Sequence, residues 1–186
     1  MTDISPLRRA KRPATPIAGP YGHPFHPLLV TIPIGVWVAA FIFDLAAFGS
    51  ERPQDFTRGA QWLVMIGIIG AVIAAAAGLL DLSRLAEGTK ARNTALVHMT
   101  LNLVVVALML GSFFVRLNDD KDAVSVGGFI LSLIGLLILG VSGYLGGKLA
   151  YRFGVRVADE ETQVEGYAET TPAQPLRPAR RERPVS

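Results

Sequence analysis

The chain is 186 residues long, 51% hydrophobic and only 18% charged, with a net charge of +3 and a mean hydropathy of +0.40. That length suits one domain, and the apolar residues gather in long runs, which excludes an ordinary water-soluble core. With no cysteine, disulfides, thiolate catalysis and cysteine-held zinc or iron–sulfur sites are excluded too.

Residues 1–21 are basic and Pro-rich. They are too long and Pro-rich for the basic region of a signal peptide, and the first apolar run has no convincing small-residue cleavage site, so that run reads as a retained anchor. Four runs follow, at about 28–48, 60–80, 94–115 and 124–145. Each is close to the ~20 residues a helix needs to cross a ~30 Å hydrocarbon core. Open sheets leave backbone groups unpaired in lipid, and barrel strands are shorter and alternating, so the runs are helices. Short connections make neighbours antiparallel. The expected fold is an all-α membrane protein, a four-transmembrane-helix bundle over residues 22–157. Residues 158–186 are polar, with Pro172, Pro175, Pro178, Pro184 and a closing Arg cluster, and are expected to be a disordered tail.

All 18 Lys and Arg residues fall outside these runs, as do 14 of 15 acidic residues, leaving Asp44 as the one charge inside a span. Asp44 is expected to snorkel to the far interface, opposite the histidines, or to take a hydroxyl partner. An even number of spans puts both termini on one side. That side carries Arg8, Arg9, Lys11, Arg12, Arg84, Lys90, Arg92, Lys148, Arg152 and Arg156, which by the positive-inside rule makes it the cytoplasmic face of the cell membrane.

Helix two carries two small-residue ridges, Gly67-xxx-Ala71-xxx-Ala75 and Gly70-xxx-Ala74-xxx-Gly78, and helix four carries Gly128-xxx-Ser132 and Gly143-xxx-Gly147. Such ridges let helices approach closely; the one on helix four also offers a homodimer contact.

All three histidines belong to the cytoplasmic end. His23 and His26 precede helix one, with Pro27 suited to the first helical position and His26 to the cap. His98 lies about 8 Å into helix three at ~1.5 Å per residue, with Asn102 one turn deeper. Asp81 and Arg84 close helix two there.

These residues carry a family resemblance. Gly22-His-Pro-Phe-His-Pro27 with the run to Trp37, Asp81-Leu-Ser-Arg84 continuing to Arg92 with His98 and Asn102 behind it, and Gly146-Gly-Lys148 continuing to Val155 occur in that order. Together, over residues 22–157, the chain resembles bacterial membrane proteins of domain of unknown function 2231. The resemblance implies a membrane bundle but no settled activity. It hints at redox work, because some such proteins are joined to Rieske-type iron–sulfur domains, for which this chain lacks the cysteines.

Four functions fit the polar end. In the first, His98 opposite His26 or His23 holds a b-type haem, Arg84 or Arg152 meets its propionates, Asn102 lies beside it, and a membrane redox partner exchanges electrons. In the second, His23, His26, Asp81 and His98 ligate a divalent metal. In the third, His98, Asp81 and Asp44 relay protons or line a path for a small solute. In the fourth, favoured on sequence, the cluster is structural: Asp81 pairs with Arg84 or Arg92, His98 and Asn102 hydrogen-bond between helices, and the protein is a scaffold or partner subunit. No nucleophile–base spacing or phosphate loop argues for an enzyme, and the tail is too short and too mixed in charge for nucleic-acid binding.

Overall fold

The computed structural model describes residues 5–120 and 122–168. A short helix α1 (Ser5–Lys11) and a single 3-10 turn (Pro16–Ala18) lead into the first membrane helix, which is broken into α2 (Phe25–Leu29) and α3 (Thr31–Phe48). The break has a local cause: Pro33 has no N–H to give the Leu29 carbonyl. Then come α4 (Pro53–Leu82), α5 (Lys90–Asn118) and α6 (Val126–Gly147), the last extended by a π turn over Lys148–Arg152. A final helix α7 (Glu160–Val164) and a 3-10 turn (Glu165–Tyr167) follow.

Four helical stretches are long and apolar enough to cross a membrane: Phe25–Phe48, Pro53–Leu82, Lys90–Asn118 and Val126–Arg152. They outrun the hydrophobic runs because polar capping residues extend the helices into the interfaces. Pro53 takes the first turn of α4, Thr89 Oγ1 accepts from Arg92 N–H at 3.2 Å to start α5, and Ser125 Oγ accepts from Gly128 N–H at 3.2 Å to start α6. His26 is thereby moved: the helix begins at Phe25 with Pro24 as its cap, so His26 is inside the helix rather than at its cap.

The bundle is two antiparallel hairpins, α2/α3 with α4 and α5 with α6. A dry core of Trp37, Ala40, Ala60, Val64, Ile68, Val105 and Met109 joins them. The glycines of both α4 ridges face helix one. A Cβ on Gly67 would overlap the Trp37 ring, one on Gly70 would meet Ile32 Cγ2 at 2.9 Å, and one on Gly78 would meet His26 Cε1 at 3.0 Å. The Gly128–Ser132 ridge is likewise used inside the bundle, against α5. Of the expected tail, Glu160–Val164 and Glu165–Tyr167 are short helical turns, and residues 169–186 lie outside the described residues.

Candidate functional site

The inward stripe of α3 is Pro33, Trp37, Ala40, Asp44 and Ala47, and that of α5 includes Val105, Met109, Ser112 and Arg116. Each stripe carries one charge near its far end, and the two charges meet. Arg116 Nη1 and Nη2 donate to the Asp44 carboxylate oxygens at 2.7 and 2.6 Å. Arg116 Nε donates to Ser112 Oγ at 3.1 Å, and Ser112 bonds Ser132 Oγ at 2.9 Å and the Gly128 carbonyl at 2.7 Å. Asp44 is fully buried and Arg116 is 2% exposed. Two expectations are corrected here. Asp44 neither snorkels nor relies on a hydroxyl, and Arg116 lies inside the fold rather than outside the spans. Paired bidentately and supplied with hydroxyls, the two charges satisfy each other where neither could be left alone.

At the opposite end, His26 and His98 face each other across the two hairpins, ring centroids 6.4 Å apart and planes at 89°. His26 Nδ1 donates to the Ala74 carbonyl at 2.8 Å, and His98 Nδ1 to the Ser142 carbonyl at 2.8 Å. A carbonyl can only accept, so Nδ1 carries the proton on both rings and Nε2 is the free lone pair. Asn102 Nδ2 donates to His98 Nε2 at 3.1 Å and to the His98 carbonyl at 2.9 Å. Asn102 thus bonds within its own helix, and Ser142 makes the link between helices. Among the described residues no protein group bonds Nε2 of His26. Each ring lies on bare backbone: a Cβ on Gly146 would meet His98 Cε1 at 3.2 Å, as one on Gly78 would meet His26.

The two hairpins repeat each other. His98 stands 72 residues after His26, Met109 after Trp37 and Arg116 after Asp44; in the second helices the spacing is 68, from Gly67 to Gly135, Ala74 to Ser142 and Gly78 to Gly146. The contacts repeat with the residues. Trp37 covers Gly67 as Met109 covers Gly135, and each histidine bonds a carbonyl one turn before its glycine. The imidazole pair and the ion pair are each formed by one residue and its own counterpart. Sequence reasoning missed Arg116 and Ser142, and this double spacing is the signal that would have found them.

The remaining candidates part company. His23 is exposed and reaches only the Tyr21 carbonyl, at 3.5 Å. Asp81 pairs with neither Arg84 nor Arg92: its partner is Arg156, Nε to Oδ1 at 2.9 Å. Arg156 has a left-handed backbone (φ 62°), unusual for a residue with a side chain. It is held there by its N–H bond to Ala10 O at 3.1 Å and by Nη2 bonds to the Ala18 and Gly19 carbonyls, both 2.9 Å. That clamp ties the segment before helix one to the segment after helix four. Arg92 bonds the Leu85 carbonyl at 3.0 Å and lies 3.5 Å from Glu87. Arg84 accepts Arg9 Nε on its carbonyl at 2.9 Å, while its own Nε is buried without a hydrogen-bond partner among the described residues. The proposed metal set of His23, His26, Asp81 and His98 is therefore not assembled; no group of three or more His, Cys, Asp or Glu among the described residues could hold a metal ion. A proton path through His98, Asp81 and Asp44 is also broken, because Asp44 is neutralised by Arg116 at the far end.

A family model described as a predicted membrane protein (DUF2231) matches residues 22–159. Neither a curated protein nor a solved structure matches the chain.

Proposed function

The chain belongs to the DUF2231 family of predicted membrane proteins, and from that premise we propose that it binds a b-type haem between His26 and His98 and carries electrons within the membrane. The observation that carries this reading is the 6.4 Å between the two ring centroids. Two neutral imidazoles from different hairpins, this close together, would hold one haem iron between them. Other features fit two imidazoles that would hold the group. Both Nδ1–H groups are spent on backbone carbonyls, the usual support of a metal-bound histidine, which leaves Nε2 as the ligand atom. Gly78 and Gly146 give the two rings bare backbone to lie on, which fixes where the imidazoles stand. Asn102, which closes Nε2 of His98, would have to give up that bond for the ring to hold the haem. Arg84, with its unpartnered Nε at this end, is the cation for a propionate. When bound, the haem supplies one-electron chemistry; the chain positions the imidazoles, excludes water and sets the charge around them. No catalytic turnover by the chain itself is part of this reading, and a membrane redox partner is.

The test is a visible spectrum of the protein purified in mild detergent from haem-supplemented cells, oxidised and reduced. A Soret band is expected that is lost in His26→Ala and in His98→Ala and kept in His23→Ala. A colourless protein, or a band that survives both substitutions, overturns the reading.

Asn102 favours a second reading, since it already closes Nε2 of His98. There the imidazoles only fasten the hairpins, and the protein is a scaffold or partner subunit. Under that reading His98→Ala lowers the melting temperature of a colourless protein and does nothing else. In either case the basic residues at the histidine end support its placement in the cytoplasm and the protein's residence in the cell membrane.

A further inference from the structure

Where α6 passes into its π turn, Tyr144, Gly147, Lys148, Tyr151 and Arg152 line a groove of about 350 Å³ on the outside of the bundle. The turn is closed by a bond from Phe153 N–H to the Lys148 carbonyl, five residues back, at 3.1 Å. Such widened turns occur mostly as single features, often at functional sites. Among the described residues the two cations in the groove have no anionic partner. Lys148 Nζ rests only over the Phe153 ring, 5.5 Å from its centre. Arg152 makes no hydrogen bond or ion pair among the described residues, and no carboxylate lines the groove. Tyr144 and Tyr151 are 73% and 93% exposed.

We propose that this groove binds the head group of an anionic phospholipid. Lys148 and Arg152 end the fourth candidate span, so they stand at the level of the phosphates, where tyrosines also concentrate. Two unpaired cations a turn apart match one phosphodiester. Tyr144, one turn deeper, and the bare backbone of Gly147 present a surface for the glycerol and upper acyl chain. A soluble anion needs the cations but not the tyrosines or the depth. The proposal does not depend on haem binding.

The full chain is reconstituted in nanodiscs of phosphatidylcholine, with or without phosphatidylglycerol, and lipid retention is read by native mass spectrometry after detergent release. Wild type is expected to retain phosphatidylglycerol in preference to phosphatidylcholine. Lys148→Gln/Arg152→Gln is expected to bind it roughly 30-fold more weakly, the loss of two interfacial cations. Gly147→Leu, which fills the groove without changing charge, is expected to lose it too; a Cβ there meets only Tyr151 Cδ2, at 4.0 Å, so the fold is kept. Arg8→Gln/Lys90→Gln removes the same charge elsewhere and is expected to retain the lipid. Equal retention of both lipids, unchanged binding in the Gly147 variant, equal loss in the Arg8/Lys90 control, or displacement by millimolar inorganic phosphate each overturns the proposal.

Discussion

Removing Arg116 leaves the Asp44 carboxylate buried without the bidentate partner that neutralises it. Arg116→Met is therefore expected to cost about 3–5 kcal/mol, and Asp44→Leu/Arg116→Met to recover most of that loss, because the double variant buries no charge. Thermal unfolding of the three proteins in one detergent checks both expectations; a double variant no better than the single one would show that the pair is not coupled. Asp159 behaves differently because it lies outside the spans. The Thr162 N–H and hydroxyl, with the Tyr21 hydroxyl, hold its carboxyl down at about 2. A depressed carboxyl stabilises above its unfolded value, about 3.9, and that contribution disappears as pH falls through about 2. The protection factors of the α7 amides, with the intrinsic pH dependence of exchange divided out, are accordingly expected to stay flat from pH 7 to pH 4, whereas Asp159→Ala lowers them across that range.

The elements differ in how tightly they are committed to neighbours, and the glycines mark where. On α4, Gly78 carries the His26 ring, whereas Gly140 on α6 has nothing within 4 Å of its would-be Cβ. Gly78→Val is expected to lower the melting temperature by forcing His26 off the Ala74 carbonyl, an overpacking cost of about 1–3 kcal/mol. Gly140→Ala is expected to leave it unchanged or slightly higher, since alanine is the better helix former. Equal melting temperatures for Gly78→Val and Gly140→Ala would mean that the His26 contact carries no stability. The four helices could be read from sequence because hydrocarbon demands an uninterrupted apolar run whatever packs beside it. Their ends could not, because polar caps such as Thr89 and Ser125 continue a helix where hydropathy has already fallen.

At the scale of the molecule, the histidine end and the ion-pair end lie at opposite ends of the bundle, so the proposed cytoplasmic placement of the histidines puts the ion pair toward the other face of the membrane. The absence of cysteine makes this simple to test. Glu51→Cys, in the turn before α4, is expected to react with an impermeant maleimide in intact cells. Glu87→Cys, in the turn before α5, is expected to react only after permeabilisation. The reverse pattern would put the imidazoles and the lipid groove on the outside. The two ends are also linked to the same two-hairpin repeat, which places His26 against His98 and Asp44 against Arg116 about a common centre.

Sequence alone determined the class, the number of spans and the end at which the histidines gather, because each follows from composition along the chain. The partners were decided only by tertiary structure. Arg116 looked like a loop cation because it follows the apolar run of helix three. Arg156 looked like one more basic residue of a solvated end, yet it is the partner of Asp81. A charge buried between helices is stable only if an opposite charge reaches it from a distant part of the chain, and no local pattern records that meeting. His26 and His98 came nearest to being legible: their residue type and depth were visible, but the separation of their rings depends on how two hairpins pack.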